Sequence, residues 1–230
     1  MTNQTRGIVG SILSPACRVW LRSQVSHVDD IQVEIEGGSR QILGGTIPQV
    51  SVVAVGAIYQ GLSLGSIDLL AENIRINLPQ VLKGQALRLL EPIAVMADVK
   101  FSEANLQDSL AAPLLSQAIT DLLAQILAAK TQPPHWQIDW VHLQIVPHTL
   151  ILQGNLMTEG QMAPIEIVMG IQIRDGHILD LDPLKITCAL DLPGSQIQSH
   201  QIDLGDDVDI TQLELISGAL VCRGRIRVNP

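Results

Sequence analysis

Alternation of apolar and polar residues with a period of two recurs along most of the chain and predicts β-strands. Ile31, Val33 and Ile35 alternate with polar neighbours before a Gly-Gly pair, a pattern typical of a half-buried strand. The same period predicts strands between residues 46 and 78, broken by turn signals at 61–65, and again over 93–101. Because these strands do not alternate with helices, we expect a mostly antiparallel sheet.

The second half of the chain returns to strands. Residues 165–173 give the cleanest alternation and run into Asp175-Gly176, a pair that favours a type I′ hairpin turn. A last strand is predicted to carry Val221 to Val228, and residues 194–209 are predicted to form a long polar loop.

A helical pattern is predicted at the N-terminus. Ser14 is a suitable N-cap, and Pro15 would occupy the first helical position, where proline is favoured. The helix would combine an apolar stripe with basic neighbours: Ala16, Val19 and Trp20 beside Arg18 and Arg22. We predict an amphipathic, basic helix within residues 1–28 and a single α+β domain over residues 29–230.

A longer helix is predicted from Pro113 to about Lys130. Its apolar residues recur as adjacent pairs one turn apart and form a wide arc on a helix about 25 Å long. The ordinary interpretation of such an arc is a core helix packed on a sheet, and the alternative is the wall of a ligand site.

Composition narrows the possible functions. Hydrophobic residues make up 47% of the chain and aromatic residues only 2%, with a formal net charge of −9. Nucleic-acid-binding proteins depend on aromatic stacking and a basic surface, so we expect no nucleic-acid partner. The exception to the acidic character is the N-terminus, where Arg6, Arg18 and Arg22 precede the first carboxylate, Asp29.

Candidate catalytic motifs are weak. Residues 61–65 match the GxSxG nucleophile elbow around Ser63, but that motif requires a strand–turn–helix, and the pattern here continues as a strand. The histidines have no metal-ligand spacing. We therefore predict a hairpin turn at Ser63, no cofactor and no enzymatic activity, and a hydrolase remains the third hypothesis.

Cysteine usage and the N-terminus bear on the compartment. Three cysteines do not form a disulfide framework, and the short apolar run before Pro15 is not typical of a secretory signal. No stretch approaches about 20 apolar residues, the length of a membrane span. These features predict a cytoplasmic protein with peripheral membrane contact.

Several strands carry aliphatic residues on both faces, for example Val52 beside Val53 and Leu69 beside Leu70. One helix layer cannot bury both sides of a single sheet. Either a second layer covers the sheet, or some apolar surface lines a cavity or meets another apolar body.

Several segments resemble the bacterial LmeA-like phospholipid-binding family over about residues 10 to 190. They are Ile42 to Val52, Tyr59 to Leu64, Asn73 to Leu78, Arg88 to Ile93 and Val99 to Leu106. The resemblance implies a tubular lipid-binding type of fold, in which a strongly curved antiparallel sheet wraps a long amphipathic helix around an acyl-chain groove. It also implies phospholipid as the ligand.

The leading hypothesis is non-catalytic binding, and possible transfer, of phospholipid or another acyl-chain lipid. The candidate lipid-binding residues lie on the long helix and one strand: Leu115, Ala118, Ile119, Leu122 and Ile126, with Val50 and Val52. The candidate residues for the headgroup or an anionic membrane surface are Trp20, Arg18, Arg22, Arg223 and Arg225. Two alternatives remain open: the arginines of the last strand could only keep an edge strand soluble, and the apolar face could dock a protein partner.

Overall fold

The structure, a computed structural model, describes residues 8–81, 83–85, 88–127, 136–158, 161–190 and 198–230. Within these ranges the chain forms two open antiparallel sheets and a few helices. The first sheet has the strand order β1-β2-β3-β4-β11-β10. Its strands are β1 (Asp30–Glu36), β2 (Thr46–Tyr59), β3 (Leu62–Arg75), β4 (Ile93–Ser102), β10 (Val208–Ile216) and β11 (Ala219–Val228).

The second sheet is a meander in which each strand pairs with the next along the chain. Its strands are β5 (Trp136–Val146), β6 (Thr149–Thr158), β7 (Gln161–Arg174), β8 (Ile178–Cys188) and β9 (His200–Asp203). The helices are α1 (Ile8–Gln24), α2 (Ser39–Leu43), α3 (Leu78–Val81), α4 (Glu103–Ser109) and α5 (Pro113–Leu127). Because β11 returns to pair with β4, the second sheet and helices α4 and α5 form an insertion within the first sheet.

Two separate clusters of buried aliphatic side chains stabilise the molecule. The first core joins one face of β1 to β3 to helices α2 and α3; its members are Ile31, Val33, Ile35, Ile42, Ile47, Ala54, Ala71, Ile74, Ile76 and Leu78. The second core packs α4 and α5 against the second sheet; among its members are Leu106, Leu123, Ile126, Trp140, Leu152, Ile165 and Leu181. Each such side chain contributes about 1.5–3 kcal/mol by leaving water.

The mostly antiparallel α+β prediction is confirmed, but the structure does not show one curved sheet wrapped around a long helix. It has two open sheets instead, and the long helix α5 packs on the second of them. The period of two in the sequence identifies strands but not their partners, so it could not separate one curved sheet from two.

Two element boundaries were predicted wrongly. Helix α1 begins at Ile8 rather than after Ser14, and Pro15 lies inside it, because the preceding apolar residues extend the helix on the N-terminal side of the proline. Part of the predicted polar loop 194–209 is strand: His200–Asp203 form β9 and Val208 begins β10. Residues 128–130 of the predicted long helix lie outside the described residues.

Helix α4 joins the two sheets through side chains that replace a strand partner for the edge strand β5. Ser102 caps the helix, with its Oγ accepting from the backbone N–H of Asn105 at 3.1 Å. One turn later, Gln107 accepts from the Leu143 N–H at 2.7 Å and donates to the Val141 carbonyl at 2.9 Å. Glu103 Oε2 accepts from the Ile145 N–H at 2.7 Å. The edge of β5 is thereby satisfied without a neighbouring strand.

Replacing Gln107 tests this junction. We expect Gln107→Ala to lower the free energy of unfolding by about 2 kcal/mol, because the N–H of the buried Leu143 loses its acceptor. Gln125→Ala, on the exposed side of α5, is the matched control and should change stability by less than about 0.5 kcal/mol. Chemical denaturation measures both values, and equal effects would contradict the role of Gln107.

Candidate functional site

One face of the first sheet is apolar across its whole width. Residues directly opposite one another on neighbouring strands share a face of the sheet, so the strand register identifies the side chains that lie together. Two successive rows on this face are Val52, Leu69, Ala97, Gly224 and Ile210, and then Ala54, Ile67, Val99, Cys222 and Leu213. The face that carries the first core therefore continues, without a charged residue in these rows, to the edge strand β10.

Among the described residues, the two cores take up opposite parts of this face, and its middle belongs to neither core. Val50, Val52, Ile67 and Val95 pack against the first core. Further along the strands, Phe101 and Leu220 pack against the second core, which includes Leu215. Between them lies a set of aliphatic or thiol side chains outside both clusters, named here the apolar strip: Leu69, Ala97, Val99, Val208, Ile210, Leu213, Cys222 and Ile226. These side chains are half-buried, except that Ile226 is 41% exposed.

The apolar strip has the length of a membrane acyl chain. Along β11 the strip runs from Cys222 to Ile226, a rise of about 13 Å at ~3.3 Å per residue. The strip crosses β3, β4, β11 and β10, which are three spacings of ~4.8 Å or about 14 Å in all. One leaflet of a bilayer contributes about 15 Å of hydrocarbon. The strip is therefore close to the length of one acyl chain and wide enough for a second beside it.

The thiol within the strip reports its low polarity. Burial raises the pKa of Cys222, because the thiolate is poorly solvated there, and the nearby carboxylate of Asp98 raises it further. Burial also raises the pKa of Cys17, on the side of α1 that packs against the first core. Both cysteines are free thiols that behave as small apolar side chains.

The opposite face of the same strands carries charge. An open groove of about 280 Å³ lies there, lined by Asp68, Leu70, Met96, Ala97, Asp98, Asp209, Thr211, Arg223, Gly224 and Arg225. Arg223 is engaged within this groove, because its Nε donates to the Asp98 carboxylate and its Nη1 donates to Gln212 at 2.9 Å. The groove and the apolar strip are separated by the thickness of the sheet.

The predicted lipid-binding residues fall into two places that the structure does not bring together. On α5, Leu115, Ile119 and Leu122 are half-buried against the second core, to which Ile126 belongs. Ala118 is exposed on the same helix. Val50 and Val52 lie on β2, where they pack against the first core and border the apolar strip.

The predicted membrane residues also occupy different surfaces. Arg18 and Arg22 are exposed on α1. The packed side of α1 is formed by Cys17 and Leu21, whereas Val19, a member of the predicted apolar stripe, is 69% exposed.

The other residues predicted to contact the membrane lie on α1 and in the charged groove. Trp20 and Ala16 lie on α1, but their side chains lie outside the described residues. Arg223 and Arg225 are exposed in the groove on the face opposite the apolar strip.

The GxSxG segment belongs to the predicted hairpin, but the turn lies before Ser63 rather than at it. Gln60 and Gly61 make the turn between β2 and β3, both with positive φ, and Ser63 is the second residue of β3, which continues to Arg75. The Ser63 N–H donates to Ser109 Oγ at 2.8 Å, and its Oγ accepts from Asn105 Nδ2 at 3.0 Å. Ser63 therefore anchors α4 to β3, and the strained strand-to-helix corner of a nucleophile elbow is not formed.

Sequence reasoning missed the part of the apolar strip that lies on β10, namely Val208, Ile210 and Leu213, because it did not predict that strand. Val208 and Ile210 alternate with Asp207 and Asp209, and this short period-two signal was the one available. Because this alternation lies within a run of Gly and Asp residues, which is typical of a loop, the segment was predicted as a loop.

The described ranges contain neither a metal-binding cluster nor a single membrane-spanning helix. No group of three or more His, Cys, Asp or Glu side chains there could hold a metal ion. No single described helix is long and apolar enough to cross a membrane; α4 and α5 meet that criterion only as a pair bent by 87°.

Removing the Ser63 hydroxyl tests its structural role. We expect Ser63→Ala to lower the free energy of unfolding by about 1 kcal/mol, because the amide of Asn105 loses its acceptor. Ser66→Ala, an exposed position on the same strand, should change it by less than about 0.5 kcal/mol. Esterase activity should stay at the background rate in all three proteins, and an activity that Ser63→Ala abolishes would overturn this interpretation.

Comparison with known proteins adds a family to this geometry. The model of the LmeA-like phospholipid-binding family matches residues 5–225 of the 230. No curated protein and no solved structure gave a match. The match spans both sheets and the strands that carry the apolar strip. The chain belongs to the LmeA-like phospholipid-binding family.

Proposed function

We propose that the protein binds a phospholipid without catalysis and carries its acyl chains in the apolar strip. The observation that supports this most is the half-buried apolar strip between the two cores, in a chain whose family binds phospholipid. Contiguous apolar side chains that stay partly exposed are unfavourable in water and favour the binding of an apolar partner. Acyl chains are apolar bodies that match a continuous strip of aliphatic side chains.

A lipid with two acyl chains fits this proposal better than a free fatty acid. The strip is about three strand spacings wide, or about 14 Å, and an extended hydrocarbon chain fills only part of that width. Leu69 borders one side and Ile210 the other, with the small residues Ala97 and Gly224 between them.

The proposal moves the acyl chains away from α5. Ile126 is 2% exposed and Leu123 is 1% exposed, so this part of the arc is already buried in the second core. Val50 and Val52 remain in the proposed site, as the border of the strip on the β2 side.

Adjacent leucines of β3 give a matched test of the strip. Leu69 lies on the strip, and Leu70, the next residue, lies on the opposite face. We expect Leu69→Asn to reduce the phospholipid that co-purifies with the protein at least fivefold, because a polar side chain would have to be desolvated beneath the acyl chain. Leu70→Asn should leave the lipid content within twofold of the unmodified protein. Native mass spectrometry followed by organic extraction measures the lipid per protein chain.

The same measurement separates the proposal from its alternative. If the unmodified protein carries no lipid, or if both variants lose lipid equally, binding in the strip is wrong. The exposed apolar side chains of the other face would then favour a protein-interaction module, since Val53, Val55 and Met96 are 42%, 47% and 43% exposed.

We also propose peripheral contact between α1 and anionic membrane. Arg18 and Arg22 are exposed beside Val19, which is 69% exposed, so this side of the helix combines positive charge with an apolar side chain. Each basic residue near an anionic surface contributes about 1 kcal/mol, an attraction that falls with salt.

Charge reversal on α1 tests this contact. We expect Arg18→Glu combined with Arg22→Glu to weaken binding to phosphatidylserine-containing vesicles at least tenfold and to leave the melting temperature nearly unchanged. Lys83→Glu combined with Lys185→Glu makes the same change in net charge at exposed positions elsewhere and should weaken binding much less. Vesicle flotation at low and high salt provides the measurement; equal loss in both double variants would refute a specific role for α1.

A further inference from the structure

The two ends of the apolar strip differ in how they are covered. At one end, named here the closed end, Phe101, Leu215 and Leu220 lie opposite one another and pack within the second core. Leu215 is only 3% exposed. At the other end, named here the open end, Ile226 and Val228 are 41% and 36% exposed and Val208 is half-buried.

The open end lies towards β10 and β11 rather than towards β3. Ile93, directly opposite Val228, packs against the first core, and so does Val95, opposite Ile226. The first core therefore covers the β4 side of this end, and the exposed aliphatic side chains are those of the last two strands.

We infer that the bound phospholipid lies with its acyl ends towards the closed end and its headgroup at the open end, and that the open end is the surface that meets the bilayer when lipid is exchanged. This inference rests on the proposed function and adds the orientation of the ligand and the route by which it leaves.

The headgroup position follows from solvation. A phosphate at the closed end would have to be desolvated among the buried side chains of Phe101, Leu215 and Leu220, where no charged residue of the strip's rows could compensate it. At the open end the phosphate stays in water while the acyl chains reach the strip through Ile226 and Val228.

A bilayer is the partner that fits the open end, because the exposed aliphatic side chains there are continuous with the site from which acyl chains would leave. The adjoining charges give no attraction to an anionic surface, because the exposed Asp206, Asp207 and Arg227 together carry a net charge of −1. We therefore expect contact at the open end to be apolar and insensitive to salt, in contrast to the contact of α1.

Photo-crosslinking of the unmodified protein tests the orientation. One phosphatidylcholine carries a diazirine at the terminal carbon of an acyl chain, and a second carries it beside the phosphate. After irradiation, peptide mapping should locate terminal-carbon adducts at Phe101, Leu215 or Leu220 and headgroup adducts at Val208, Ile226 or Val228. The reverse distribution, or the same distribution for both probes, would overturn the inference.

Lipid exchange tests the docking surface. Val228→Asp should slow transfer of a fluorescent phosphatidylcholine between neutral vesicles at least tenfold, at low and at high salt, when the rate is expressed per mole of lipid bound to the protein. Met162→Asp is the control, because Met162 is 70% exposed on β7 of the second sheet, and its transfer rate should be unchanged.

Failure of this inference can be distinguished from failure of the proposed function. If the unmodified protein binds no phosphatidylcholine, the proposed function and this inference are both wrong. If it binds lipid but Val228→Asp transfers at the unmodified rate, or Met162→Asp loses transfer equally, the open end is not the docking surface.

Discussion

The architecture depends on one constraint: the apolar face of the first sheet is wider than the parts of it that pack against the two cores. The strand register makes that face apolar from β1 to β10, a width of six strands. The helices and the first core cover its β1–β3 side, and the second core covers the far end of β4, β11 and β10. A buried aliphatic side chain gains about 1.5–3 kcal/mol, so the half-buried residues between the cores retain part of that gain for a further apolar partner.

The position of the closed end depends on how the inserted second sheet is attached. Helix α4 follows β4 directly, and its Glu103 and Gln107 hold the backbone of β5. At the neighbouring turns, the His148 N–H donates to the Leu215 carbonyl at 2.9 Å and the Gly218 N–H donates to the Ile145 carbonyl at 3.1 Å. These bonds fasten the β5–β6 turn to the β10–β11 turn, which places the second core over Phe101 and Leu220 and no further along the strip.

Local sequence patterns predicted most strands and helices, but they did not predict which strands pair with one another. The Asp175-Gly176 turn has φ values of 52° and 77°, as a type I′ hairpin requires, and the alternation of residues 165–173 became β7. The pairing of β11 with β4 joins residues more than a hundred positions apart, and nothing in a period of two specifies it. For the same reason the arc of α5 could not be distinguished from a ligand wall, because an apolar arc has the same sequence whether a sheet or a lipid covers it. The family could be identified, since the resemblance rested on whole segments, and the match over residues 5–225 confirms it.

Consecutive residues of β11 lie on opposite faces of the sheet, one apolar and one charged. Cys222, Gly224 and Ile226 face the strip, while Arg223 and Arg225 face the charged groove. Gly224 has a geometric reason to lack a side chain: a Cβ there would lie 2.6 Å from the Asp209 carbonyl oxygen and 2.7 Å from the Ile210 Cα.

The close approach of β10 arises where its register shifts between Ile210 and Gln212, a bulge that bends the strand. One row of the strip therefore reads Leu69, Ala97, Gly224, Ile210, with its smallest residues at the centre and its largest at the sides. The small residue at the centre of this row is a consequence of the bulge, because a side chain at Gly224 would collide with the backbone of β10.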